Sequence, residues 1–204
     1  MRQVGEYLLM NAVAVKAIES STNATPIVVT ITGHGLSTGD RITINGHETN
    51  TSANGTWVIT KVNANSFSLD DSVGVGVGGA TGIVALASKI ALADDFRNAI
   101  LEIAFASTPT MTVKIVGSTG KSATDDGSPD FAKDQTADNM YEFLNAIDLE
   151  DGASISGDTG ISVSGTADTR TVEVNINAMR WISILPTAGS AGAITAKLRL
   201  YSNT

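Results

Sequence analysis

Few residues in this sequence can do chemistry, and their spacing limits what they can do. No cysteine occurs among the 204 residues, which removes thiolate nucleophiles, zinc–thiolate sites, disulfides and any thioester mechanism. His34 and His47 are the only imidazoles available as a general base or metal ligand. They flank a turn and a loop, with no third ligand evident, and hydrogen bonding within those turns is their expected role. The run Gly117-Ser118-Thr119-Gly120-Lys121-Ser122 ends like a phosphate loop. That motif also needs a glycine where Ile115 stands and a helix directly after it; the next residues here are Ala-Thr-Asp-Asp-Gly-Ser-Pro, an acidic loop. It is not a nucleotide site. The Gly-Val repeat over residues 74–79 lacks the strand–turn–helix setting and ribose-binding acid of a dinucleotide fingerprint. It reads as a flexible or bulged β-connection.

The carboxylates are plentiful but bunched. Residues 118–158 hold ten acids against Lys121 and Lys133, and that stretch alone accounts for the net charge of −8. The remainder balances at eleven acids and eleven bases. Lys and Arg nowhere cluster as a phosphate-binding surface requires, so no nucleic acid partner is expected. Asp125, Asp126, Asp130 and Asp134 share one loop whose hard oxygens are of the kind that bind calcium, with Asp125, Asp126 and Asp130 the candidates. Their spacing does not match the helix–loop–helix calcium pattern. A solvated acidic face with no resident metal or cofactor is the expectation. Paired acids also suggest glycosidase chemistry, but abundant surface Asp accounts for them as well. Trp57 and Trp181 sit inside strand-like runs and are expected in cores; an exposed aromatic would instead support sugar stacking.

The elements that must position these residues are strands. Gly, Ser, Thr and Asn make up 76 of the 204 residues, and β-branched runs alternate with turn signals throughout. Ile27–Thr32, Arg41–Ile44, Thr56–Val62, Ser66–Leu69 and Ile83–Leu86 read as five short strands. In the second part, Ala99–Phe105 and Met111–Val116 read as strands separated by a turn around Thr108-Pro109. Asn139–Leu149 reads as a strand or a short helix, and Ile161–Val163, Thr171–Ile176, Arg180–Leu185 and Ala193–Tyr201 as further strands. In the last of these Ile194, Ala196, Leu198 and Leu200 face one way and Thr195, Lys197 and Arg199 the other. The expected architecture is all-β: an N-terminal arm over residues 1–24, a small β-barrel module over 25–87, and a β-sandwich or jelly-roll-like domain over 88–204. The apolar opening from Tyr7 to Ile18 is broken by Asn11 and Lys16, too short for a bilayer, and lacks a convincing cleavage site; no membrane association is expected.

Pro26-Ile-Val-Val-Thr30, His34-Gly-Leu-Ser-Thr-Gly-Asp40, Asn54-Gly-Thr-Trp57 and Asn65-Ser-Phe-Ser-Leu69 together resemble a small β-barrel module of bacteriophage structural proteins. That module is labelled by its likeness to the first catalytic-cysteine half-domain of ubiquitin-activating enzymes. The enzymatic label does not carry over, because the chain has no cysteine. More loosely, Thr110–Gly117, Pro129-Asp-Phe131 and Trp181-Ile resemble the β-rich domains of phage virion proteins. The resemblance implies a non-enzymatic virion component that decorates or stabilises the capsid or forms part of the tail. It implies other virion proteins as partners, a symmetric homo-oligomer, expected trimeric, and localisation in the virion. The alternative is a carbohydrate-binding host-attachment module of a tail fibre or baseplate, with a host surface glycan as ligand. The resemblance supplies no catalytic residues.

Overall fold

The computed structural model describes residues 2–94, 96–119, 130–131 and 141–202, with backbone alone for 2–5. Among these residues the chain is all-β apart from a single 3₁₀ turn at Thr51–Ala53. The first group of strands is β1 (Arg2–Ala17), β2 (Ser20–Ser21), β3 (Val28–Thr30), β4 (Arg41–Asn45), β5 (Gly55–Asn63), β6 (Ser66–Leu69) and β7 (Ile83–Leu86). The second is β8 (Ala91–Leu92), β9 (Asn98–Ser118), β10 (Glu142–Phe143), β11 (Ala146–Asp148), β12 (Ser154–Ile155), β13 (Ile161–Ser164), β14 (Asp168–Asn175) and β15 (Trp181–Ser202). They form one antiparallel hydrogen-bonded path, β12-β11-β14-β9-β15-β1-β7-β4-β5-β6-β3-β2; β10 and β13 also pair with β9, and β8 with β15.

The all-β, antiparallel expectation holds; barrel closure does not. The path ends at β2 without returning as a ladder. The chain itself links the two sides there: Ile18 N–H donates to Gly82 O, and Glu19 N–H to Thr30 O. The five short strands expected between Ile27 and Leu86 are all present, as β3 to β7. The residues expected as an arm hold β1, a sixteen-residue strand that pairs with β15 along most of its length and with β7 over Val15–Ala17. The expected turn at Thr108-Pro109 is instead a bulge inside one long strand. β9 pairs with β15 from Trp181↔Ser118 to Tyr201↔Asn98, and Ser107 and Thr108 take positive φ of 62° and 51° where the ladder is interrupted. β13 and β14 follow one another along the opposite side of β9, so both of its halves are paired on both edges.

Two cores result. The larger is built on β9, β14 and β15, and includes the alternating Ile194, Ala196, Leu198 and Leu200, each fully buried. The smaller gathers Ile27, Val29, Ile42, Ile44, Ile59, Phe67 and Leu69. β7 is their shared wall: Ile83 and Ala85 enter the larger core and Val84 the smaller. A strand with apolar neighbours on both faces must be apolar throughout, which is why Ile83-Val-Ala85 does not alternate with polar residues.

Candidate functional site

Both histidines are structural. His34 accepts a bond from Leu36 N–H at Nδ1 (3.0 Å), shares one with Asn63 O at Nε2 (3.0 Å), and stacks edge-on to Phe67. His47 is buried, with Nε2 2.7 Å from Ser21 Oγ, a spacing that invites a nucleophile–base reading. The other ring nitrogen decides against it. Nδ1 faces the Asn50 N–H at 3.4 Å and must accept, so Nε2 carries the hydrogen and donates to Ser21. Ser21 Oγ also receives the Gly79 N–H at 3.2 Å. A base that has already committed its proton to the hydroxyl cannot take another from it. Burial lowers the His47 pKa, which keeps the ring in this neutral form. Tyr201 is likewise held protonated: burial and its bond to Glu173 push its pKa up to about 12.

The acidic stretch is only partly a solvated face. Asp125 and Asp126 lie outside the described residues. Asp130 is buried, accepting bonds from Thr56 Oγ1 (2.7 Å) and Thr56 N–H (3.1 Å), which joins it to the start of β5. Asp148 is buried against Arg170 at 3.0 Å. The Glu150 N–H, and after it Arg170, hold its pKa below the ordinary value. Glu142, Glu150, Asp151 and Asp158 are exposed as expected. The two buried acids depart from expectation because each has a donor in reach that sequence separation conceals. Among the described residues no three His, Asp or Glu side chains come together as a metal site. Gly117, from the phosphate-loop-like run, is a packing glycine on β9: a Cβ there would press on Leu144 and Met179.

Both tryptophans are partly buried and packed against a core cluster. Trp57 packs on the smaller core and donates Nε1–H to Ala53 O (2.8 Å). Trp181 packs on a third cluster of Val116, Phe131 and Leu185, with the Arg180 guanidinium 5.4 Å from its ring.

The feature that stands out is the Gly-Val segment. Val73, Val75 and Val77 are 59%, 62% and 65% exposed, the largest values of any large apolar side chain described. Between them the glycines are seated against the body of the protein. A Cβ at Gly74 would overlap the Asn23 carbonyl, at Gly78 the Ser21 carbonyl, and at Gly79 the Thr49 hydroxyl. Gly76, at φ +87°, would meet Thr49 O at 2.9 Å. Only glycine permits this close approach of backbone to backbone.

Polar side chains then fix the segment in place. Asn50 is fully buried; its Oδ1 accepts from Val75 N–H (3.2 Å) and Ser52 Oγ (2.7 Å), while its Nδ2 donates to Thr22 O (2.9 Å). Asn23 Nδ2 donates to Gly76 O (3.0 Å) and Gly74 N–H to Ala24 O (3.1 Å), and the single hydroxyl hydrogen of Ser52 has Val73 O (2.9 Å) in reach as well as Asn50 Oδ1. The segment expected as a flexible or bulged β-connection is an apolar ridge fastened from beneath at Gly74, Val75, Gly76 and Gly79. Its signal in the sequence was the alternation itself: glycine where backbone must approach backbone, valine where a side chain points away. What this arrangement presents to its surroundings is a row of apolar side chains. No protein-family model matches the chain, and no curated protein matches it.

Proposed function

We propose that the chain is a non-enzymatic structural component of a bacteriophage virion, decorating or stabilising the capsid or forming part of the tail as a symmetric homotrimer. The observation that carries this reading is the fastened valine ridge. Exposed valines add nothing to either core, and a segment held this firmly loses little conformational entropy on binding, which favours docking onto a partner surface. The motif resemblance of residues 26–69 to phage structural modules supplies the particle. The strand path ends in two-residue strands, β2 and β12, too short to template edge-to-edge growth. That suits a protein that must be displayed in many copies without forming fibres. A glycan-binding role draws less support, since both tryptophans are packed. The test is quantitative mass spectrometry of purified particles from the source that encodes the chain. The reading expects the protein at a fixed ratio to the major shell or tail protein; its absence from intact particles overturns the reading.

A further inference from the structure

The segments that build the ridge face are 19–26, 47–54 and 70–82. They carry four acids, Glu19, Glu48, Asp70 and Asp71, and no Lys or Arg. Glu19, Glu48 and Asp71 are exposed, and none of the four joins an ion pair among the described residues. An apolar row bordered by one sign of charge is a poor surface for self-association. Two copies meeting ridge to ridge would bring the exposed Glu48 and Asp71 carboxylates of each copy together, and like charges facing across an interface are unfavourable.

We infer that the ridge docks into a different protein, one that offers an apolar trough with a rim of Lys and Arg. The valines supply the buried contact. The carboxylates select the partner and steer its approach, as rim charges do in other interfaces. This deepens the proposed function and rests on it, the partner being another protein of the particle.

Three predictions separate the parts of this inference when the purified protein is added to particles lacking it and the mixture is sedimented. First, Val73→Ser, Val75→Ser and Val77→Ser together should reduce retention by at least about tenfold, the equivalent of ~1.4 kcal/mol. Thermal unfolding should change little, since each of the three side chains is largely exposed and none belongs to a core. Second, single variants at Val75 should differ by charge: Val75→Lys should bind several-fold more weakly than Val75→Glu, although both remove the same apolar group. Third, retention of the wild type should fall as salt rises, and Glu48→Gln with Asp71→Asn should flatten that dependence.

The outcomes are distinguishable. Wild-type retention by the triple variant overturns the ridge and leaves the virion reading standing. Val75→Glu binding more weakly than Val75→Lys overturns the basic rim. A homo-oligomer that the triple variant breaks identifies a second copy as the occupant and overturns the inference. No retention of the wild type overturns the virion reading and the inference with it.

Discussion

Along β9 and β15 the backbone largely holds itself, amide to carbonyl, on both sides of the bulge at Ser107 and Thr108. Around the ridge the backbone is held by side chains. Asn50 grips the 22 and 75 positions; Asn54 both accepts from His47 N–H (2.8 Å) and donates to His47 O (2.9 Å). Ser72, also buried, takes the Ile27 N–H (2.8 Å) and gives to Leu69 O (2.7 Å). The first arrangement tolerates any side chain that suits the face it points to. The second depends on particular polar residues, because only they reach loop backbone that has no ladder partner. The lesson is that the exposed valine face stands on the part of the molecule whose order is side-chain-specific.

The largest effect expected is in the smaller core. Phe67 is fully buried there, and Phe67→Ala should destabilise the protein by about 3–5 kcal/mol in denaturant unfolding. Because β7 serves both cores, the loss should appear in probes of β9 and β15 as well. A transition confined to residues 18–86 would show that the two cores unfold independently.

Next comes the polar hub. Asn50→Ala leaves the Val75 N–H without its acceptor and the Thr22 carbonyl without its donor, for a loss of about 1–3 kcal/mol per group stranded away from water. Amide exchange at Val75 should accelerate, while exchange in β9 stays as it was. A uniform change would erase the contrast between the two regions.

Acid should divide them too. The His47 pKa is lowered in the fold from the ordinary 6.5, so the unfolded chain takes up the proton first. The stability this residue contributes is complete above 6.5 and is lost as pH falls through the lower folded value, with a slope of at most about 1.4 kcal/mol per pH unit. Asp148 behaves likewise, but from an ordinary 3.8, so the larger region holds until stronger acid. Amide exchange followed downward from about pH 7.5 should show the 47–50 and 73–79 segments loosening first, once the pH falls below the ordinary histidine value. His47→Gln should remove that early loss. Simultaneous loosening of β14 near pH 6 would contradict the assignment.

The smallest effect belongs to the sheet surface. Lys197 and Glu102 meet at 3.5 Å with both side chains about half exposed, and Lys197→Ala should change stability by less than about 0.5 kcal/mol.

Much of the larger region was legible in advance, because period-two alternation in a strand such as Ala193–Tyr201 records which face is buried. What the sequence concealed was continuity. Ala99–Phe105 and Met111–Val116 are one strand, and β1 belongs to the sheet, because a bulge at Ser107 and Thr108 looks locally like a turn and only the partner strand shows otherwise. The ridge was half legible. Val-Gly alternation announced an unusual segment, but glycine signals freedom and close contact alike, and the Asn23, Thr49 and Ser21 atoms that decide between them lie 27 to 58 residues away. Asp130 was hidden in the same way, its donor Thr56 lying 74 positions earlier.

The central claim is that a rigid apolar face exists before any partner arrives. Hydrogen–deuterium exchange of the free protein, read over the peptide covering residues 72–80, tests it directly. The amides of Gly74, Val75 and Gly79 each have a fixed acceptor, in Ala24 O, Asn50 Oδ1 and Ser21 Oγ. These three amides should exchange slowly, on the scale of neighbouring β6. Complete exchange within seconds, at the rate of an unstructured glycine-rich chain, would contradict the claim.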